Sequence, residues 1–285
     1  MMFQVTYMGH SGFAVELDHT VLVFDYYIGE MPAFPPEKNI FVFASHFHKD
    51  HFTMEIYDLF RGYPHVKYVL SRDIKHHYNR NYFLRHGAKE KAFDEDTIFL
   101  LSGKHEVLDG GVEVRTFKST DSGVAFLVRA EDHWIYHAGD LNWWRWPDDS
   151  PEEQDLMSRV YQGEVNRIAQ ILRGSASTDE LSGKTDVHAE TGVHVESVGS
   201  QKCSTFAELD AAFVVLDGRM DAEYSMRGFD YFACTVPARM YYPMHFWENP
   251  GIVARLYKDA RSAGYRDRIV DTPAMTDVRA VFPKD

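Results

Sequence analysis

The chain has 285 residues, of which 45% are apolar, and this is enough to bury a substantial core. Its formal net charge of −13 opposes non-specific attraction to nucleic acid or to anionic membranes. The longest apolar runs, residues 39–44 and 211–216, are far shorter than the ~20 residues that a membrane crossing needs. These features predict a small-molecule substrate and no nucleic-acid or membrane partner.

The predicted strands are short runs rich in β-branched and aromatic residues, and the first three form a meander separated by turn sequences. They lie at residues 3–8, 12–17, 20–25, 40–44, 66–70, 97–101, 112–117, 124–128, 134–137, 212–216 and 240–244. Helical periodicity is found at residues 53–60, 74–84, 152–172 and 251–263. Blocks of strands punctuated by helices predict an α/β (α+β) fold in which sheets pack on each other beneath outer helices.

We expect a single domain over residues 1–285, with an insertion or mobile loop at residues 174–204, where Gly, Ser, Thr and charged residues replace any clear periodicity. This segment is interpreted either as a surface loop or as a lid or dimer arm that brings His188 and His194 near a site. A homo-oligomer is therefore left open. The start of the chain has no pattern typical of a secretory signal, and Cys203 and Cys234 form no metal or disulfide spacing, so a cytoplasmic location is expected.

The strongest chemical signal is the heptapeptide Ser45-His46-Phe47-His48-Lys49-Asp50-His51, which follows the apolar strand at residues 40–44. In an extended segment, positions i and i+2 point the same way, so His46 and His48 can bind one ion together. Asp50 and His51 come at the turn into the next helix and can face a second ion. Imidazoles and carboxylates are ligands expected for Zn²⁺, Fe or Mn. We therefore predict a metal site here.

A histidine-rich surface loop is the alternative, because the chain holds 15 histidines. His76, His77, His86 and His105 are expected to be such ordinary surface residues. The 46–51 cluster differs from them because its spacing, the strand before it and the helix after it agree with one mechanism.

With these residues, the chain resembles the metallo-β-lactamase superfamily, in the branch of uncharacterised bacterial metal-dependent hydrolases. The pattern HxHxDH at residues 46–51 is preceded by Met8-Gly9-His10-Ser11-Gly12 and followed by His137-Ala138-Gly139-Asp140 and Tyr242-Pro243-Met244-His245. The resemblance implies a four-layer αββα sandwich of two mixed β-sheets and two divalent metal ions, with zinc expected and Mn or Fe as alternatives. It also implies that Asp140 bridges the ions, that His245 joins Asp50 and His51 at the second ion, and that Asp50 serves in catalysis beside Asp140.

One position departs from the family pattern, since a third histidine of the first site is replaced by the stretch 119–123, with Asp121 as the closest substitute. If Asp121 is a ligand, the first site becomes harder and favours Fe or Mn over Zn. If it is not, that site is weak and one ion is held firmly. A third interpretation is that Asp121 only shapes the turn.

Two further residues near the motifs are assigned supporting roles. His10 is interpreted as a hydrogen-bonding residue of its turn and is left out of the metal set. Asp25 is either a partner that orients a ligating imidazole or a strand-end cap.

Large aromatic and basic side chains adjoin the predicted ligands. Trp143 and Trp144 follow Asp140, and Trp247 follows His245, so we expect them to line a substrate pocket, with ordinary packing as the alternative for some. Arg145 and Arg219 are candidates to receive a carboxylate or phosphate, although Arg219 can instead pair with Asp217.

A metal-activated water requires no serine or cysteine nucleophile, and neither a GxSxG elbow nor a P-loop is present in the sequence. The leading hypothesis is therefore a hydrolase acting on a small ester, lactone, amide or phosphoester. A phosphodiesterase or nuclease is the alternative within enzymes. A non-catalytic metal-binding sensor is the alternative from another class.

Overall fold

The computed structural model describes residues 2–174, 207–275 and 280–281. Its strands are β1 Gln4–Gly9, β2 Gly12–Glu16, β3 Thr20–Phe24, β4 Asn39–Ala44, β5 Val66–Ser71, β6 Thr97–Leu100, β7 His105–Val107, β8 Glu113–Lys118, β9 Val124–Ala130, β10 His133–His137, β11 Leu209–Val215, β12 Ala238–Met244 and β13 Ala280–Val281. Its α-helices are α1 Ile56–Leu59, α2 Arg72–His77, α3 Arg80–Arg85, α4 Glu90–Asp94, α5 Pro151–Leu172, α6 Ala222–Thr235 and α7 Gly251–Lys258.

The strands form two mixed sheets. The first has the order β13-β1-β2-β3-β4-β5-β6, antiparallel up to β3 and parallel from β3 to β6. The second has the order β12-β11-β10-β9-β8-β7, in which β10, β11 and β12 are parallel and the remaining neighbours antiparallel. The α/β class and the two mixed sheets predicted from the sequence are confirmed.

Strand β3 shows why both faces of the first sheet are apolar. Its residues Leu22 and Phe24 lie in the core between the sheets, whereas Val21 and Val23 lie in a second core under helices α1 to α4. Successive side chains of a strand point to opposite faces of the sheet. The sequence of a strand that is buried on both faces is therefore one continuous apolar run, without alternation of apolar and polar residues. Helices α5 and α6 cover the outer face of the second sheet, where Phe232 stacks on Tyr136 at 4.7 Å.

The helices are the part of the fold that the sequence predicts least well. The helix predicted at 74–84 is two helices, α2 and α3, because Tyr78 is extended and the Asn79 side chain caps α3 by accepting a hydrogen bond from Tyr82 N. Helix α6 was not predicted. The predicted insertion at 174–204 lies, except for Gly174, outside the described residues.

None of the helices that the structure describes combines the length and apolar character needed to cross a membrane. The parallel strands matter more for the site. The carboxyl ends of neighbouring parallel strands meet at one sheet edge, so the loops after β3 and β4 lie together, and so do those after β10, β11 and β12.

Candidate metal centre

The loop after β4 is held in place by the residue that follows β3. Asp25 accepts hydrogen bonds from Ser45 N at 2.7 Å and from Ser45 Oγ at 2.6 Å. It also contacts His51 Nδ1 at 2.7 Å, so one buried carboxylate fixes both ends of the loop. The loop itself turns at His48, whose carbonyl accepts from His51 N and Phe52 N, both at 3.0 Å.

One set of donor atoms, here called the buried set, comprises His10 Nε2, Asp50 Oδ2, His51 Nε2, Asp140 Oδ1 and His245 Nε2. Asp50 Oδ2 lies 3.2 Å from His10 Nε2, 3.6 Å from His51 Nε2 and 3.7 Å from His245 Nε2. Asp140 Oδ1 lies 3.1 Å from His51 Nε2 and 3.2 Å from His245 Nε2. Ligands bound to one ion at 2.0–2.2 Å lie about 3 to 3.7 Å apart, so this spacing fits a single cation.

A second set, here called the outer set, comprises His46 Nε2, His48 Nδ1 and Asp140 Oδ2. The two imidazole nitrogens are 2.9 Å apart, and His46 Nε2 lies 3.4 Å from Asp140 Oδ2. Asp121 lies at the edge of this set, with Oδ2 3.9 Å from His48 Nδ1, and its side chain is 49% exposed. Asp140 thus presents one oxygen to each set.

Unpartnered atoms provide the test of whether these residues suit a metal. Four buried atoms have no hydrogen-bond partner among the residues that the structure describes: His10 Nε2, His51 Nε2, His245 Nε2 and Asp140 Oδ1. Leaving four such atoms together without a partner would be costly in a folded protein, and one cation between them would satisfy all four. The donors therefore fit a divalent ion.

The opposite nitrogens of two imidazoles are already engaged. His51 Nδ1 lies 2.7 Å from Asp25, and His245 Nδ1 lies 2.9 Å from Asp217 Oδ2. A carboxylate that accepts the Nδ1 hydrogen leaves the Nε2 lone pair directed into the cluster, which is the orientation a metal ligand requires. Arg219 in turn donates to Asp217 through Nε and Nη2, so Asp217 is fixed from both sides.

The charges favour a cation at the centre. Burial acts to lower the pKa of His51, but Asp140 and Asp25 raise it well above its ordinary value. Burial acts to raise the pKa of Asp140, but the imidazoles of His51 and His245 hold it well below its ordinary value. Burial, with the neighbouring His51, lowers the pKa of His46 to about 3, so this imidazole is neutral and able to bind a metal. Burial, followed by the charge of Asp140, raises the pKa of Asp121.

His137 connects two of the loops that carry donors. Its Nε2 donates to Ser11 O at 2.8 Å, and its Nδ1 accepts from Gly139 N at 3.1 Å. Gly139 adopts φ 51°, and a Cβ there would lie 2.7 Å from Ser45 Cβ, so glycine is required for the chain to turn into Asp140. His137 therefore positions the turn that carries His10 and the turn that carries Asp140.

The predicted pocket residues divide into two groups. Trp144 is buried beside the donors, with Nε1 donating to Asp140 O at 3.0 Å and its ring 5.9 Å from that of His245. The ring of Trp247, which is 40% exposed, lies 4.6 Å from that of His10. The described contacts of Trp143, by contrast, are with Tyr161 and other residues of the outer helices.

The two predicted arginines also differ in position. Arg145 lies over the Tyr224 ring at 4.0 Å. Arg219 stacks on Trp247 at 4.6 Å, and its pairing with Asp217, which the sequence left as an alternative, is observed. Because Nε and Nη2 are used for Asp217, that edge of Arg219 does not remain for a substrate anion.

Sequence reasoning missed His10 and Asp217 as members of the site. His10 had been assigned to its turn only, yet its Nε2 belongs to the buried set. The signal that could have found it is a histidine flanked by glycines at the end of a strand, since Gly9 and a left-handed His10 at φ 53° turn the imidazole towards the other loops. Asp217 lies two residues after the end of β11, and Asp25 directly follows β3.

Two mixed sheets with outer helices thus carry two neighbouring groups of His and Asp donors. Comparison with solved structures agrees at the level of fold. Igni18, a novel metallo hydrolase from Ignicoccus hospitalis KIN4/I, superposes with a TM-score of 0.57 at 15% identity, covering 100% of both chains.

A relative is also found by sequence. A UPF0173 metal-dependent hydrolase from Opitutus terrae (strain DSM 11246 / JCM 15787 / PB90-1) is 32% identical over 155 residues, which are 48% of this chain and 62% of that protein. The match therefore spans less than two thirds of the relative's length. No protein-family model matches the chain. The similarity to metal-dependent hydrolases, which the motifs predicted, is confirmed by sequence over part of the chain and by fold over its length.

Proposed function

We propose that this protein is a metal-dependent hydrolase that holds two divalent ions and cleaves a small ester, lactone, amide or phosphoester. The observation that carries the proposal is the position of Asp140, whose Oδ1 faces the buried set and whose Oδ2 faces the outer set. The name of the Opitutus terrae relative, a metal-dependent hydrolase, supports the activity.

The residues of the two sets differ in what they can do. The buried set offers three imidazoles and two carboxylates and lies beside the rings of Trp144 and Trp247. The outer set offers two imidazoles and one carboxylate oxygen, and its His48 side chain is 39% exposed. We therefore assign the firmly held ion to the buried set and the substrate-accessible position to the outer set, since catalytic sites keep a position open.

Bound divalent ions would supply a water of lowered pKa and polarise the bond to be cleaved. Asp50 belongs to the buried set but has a partly exposed carboxylate, so we propose that it orients water or returns a proton to the leaving group. Imidazole-rich donors suit zinc, and the carboxylates also admit Mn or Fe.

The test is to measure metal content and hydrolysis with the same preparations of protein. The wild type and an Asp140→Asn variant are loaded with Zn, Mn or Fe, dialysed, and assayed on ester, lactone, amide, phosphomonoester and phosphodiester panels. Asp132→Asn, an exposed change at 78% side-chain exposure, is the matched control. We expect the wild type and Asp132→Asn to hold about two ions per chain and to show hydrolysis that a chelator abolishes. Asp140→Asn should lose both the ions and the hydrolysis. Two ions without hydrolysis of any substrate would favour a metal-binding sensor, and no ion above background would refute the site.

A further inference from the structure

Beside the outer set lies a cleft of about 410 Å³ between the loop at residues 118–121 and the first turns of α5. Asp121 contributes both to its wall and to the edge of the outer set, so the cleft opens next to the accessible metal position. Its volume lies within the range of small-molecule sites.

Four apolar side chains form one part of the wall of this cleft, and polar residues, among them Lys118 and Asp121, form the rest. Leu156, Met157 and Val160 line it from α5 at the spacing i, i+1 and i+4, which places the three on one side of a helix. Trp146 also lines the cleft and is stacked on Trp144 with ring centroids 5.8 Å apart. Trp146 is 36% and Leu156 55% exposed, so large apolar side chains face solvent here, directly beside the donors.

The polar groups around the cleft are largely engaged in local structure. Asp149 accepts from Trp146 N at 2.6 Å, and Glu153 forms the capping box of α5 with Ser150. Ser119 Oγ accepts from Asp121 N at 3.1 Å. Thr120 Oγ1 donates to Asn142 O at 2.6 Å. Apart from Lys118 and Asp121, the polar side chains of the wall are thus engaged within the protein, so the cleft would hold a ligand mainly by apolar contact.

From these observations we infer that the cleft binds an unbranched hydrocarbon arm on the acyl side of the substrate. The inference rests on the proposed hydrolase function. In the reaction, a C–O bond forms between water and the acyl carbon and the bond to the alcohol breaks. One proton of the water passes to the alcohol oxygen, and the other is released to solvent as the acid ionises. The carboxylate product has a charged head suited to the metal position and a tail suited to the adjacent cleft. An alcohol product would have no such head.

The arm has a defined length. Leu156 and Val160 are four positions apart on α5, or about 6 Å along the helix axis, and Asp121 lines the same cleft. We expect a gain up to about six to eight carbons and none beyond, because the cleft then opens to solvent. Each methylene should raise kcat/KM about twofold to fourfold, the upper value corresponding to full burial.

The experiment uses the metal-loaded full-length protein and 4-nitrophenyl esters from acetate to decanoate. The expected result is a kcat/KM that rises with chain length in the wild type and is nearly flat in Leu156→Ser. Val160→Phe, which fills the cleft, should shift the preference to shorter chains. Leu101→Ser is the control, because Leu101 is similarly exposed (46%) but does not line the cleft.

Binding without turnover separates this inference from the proposed function. Binding of hexanoate and of acetate is measured by the change in intrinsic tryptophan fluorescence. Hexanoate should bind more tightly than acetate to the wild type, whereas Leu156→Ser should bind the two acids equally. Equal binding of the two acids, or hydrolysis with no chain-length dependence, would overturn the inference while leaving the hydrolase intact. If the protein binds hexanoate selectively but hydrolyses none of the esters, the proposed hydrolase function is overturned and the assignment of the cleft stands. If Leu156→Ser changes the oligomeric state in sedimentation and leaves chain-length selectivity as it was, the cleft is an interface between copies, and the inference is wrong.

Discussion

Replacement of His10 is the most informative change at the buried set, because within the described ranges its Nε2 contacts only this set. The His10→Ala variant would leave four of the five donor atoms in place. Loss of even a supporting partner of a metal ligand typically weakens metal affinity 10-fold to 100-fold, and we expect about 100-fold here. At saturating metal this corresponds to about 2.7 kcal/mol less metal-induced stabilisation, or roughly 5–10 °C in Tm.

The assay is thermal unfolding with and without zinc, combined with elemental analysis after dialysis. His10 has φ 53°, where alanine is strained, so the quantity to compare is the metal-induced shift in Tm rather than Tm itself. His76→Ala provides the matched control, since His76 is an exposed residue of α2. A His10→Ala protein with the same metal-induced shift and the same number of ions as the wild type would refute membership of His10 in the site.

Three further changes test other parts of the site. Asp217→Asn removes the charge that orients His245, and we expect metal affinity to fall about 10-fold to 100-fold in a competitive chelator titration; unchanged affinity would contradict this role. If Asp121 is a ligand of the outer set, elemental analysis of Asp121→Ala should find one ion per chain instead of two. Retention of both ions would exclude Asp121 as a ligand. Gly228→Ala would place a Cβ 2.5 Å from Asn142 Oδ1, so urea unfolding should show a loss of about 1–3 kcal/mol, and a variant as stable as the wild type would contradict this packing.

The contiguous part of the site could be predicted from the sequence because one loop carries it. His46 and His48 are two residues apart in an extended segment, and Asp50 and His51 follow at the turn, so local geometry alone brings them together. The positions of Asp140 and His245 required resemblance to a family, since nothing in their local sequence indicates which strand ends will be neighbours.

Side-chain direction was the least predictable property. Trp143 and Trp144 are adjacent in sequence, yet Trp144 reaches Asp140 whereas the described contacts of Trp143 are with the outer helices. Helix α6 was missed for a related reason. Gly228 interrupts its helical propensity, and only the structure shows that this glycine makes room for the Asn142 side chain.

The shared carboxylate of Asp140 has a consequence for how metal would be taken up. Its two oxygens lie on one rigid group, so an ion that fixes Oδ1 at the buried set also fixes where Oδ2 lies in the outer set. Occupancy of the two positions is then thermodynamically linked, and each ion changes the affinity for the other by the same factor. A metal-free preparation titrated with substoichiometric zinc should accordingly divide into empty and doubly loaded chains if that linkage is favourable, and chains holding one ion should be scarce.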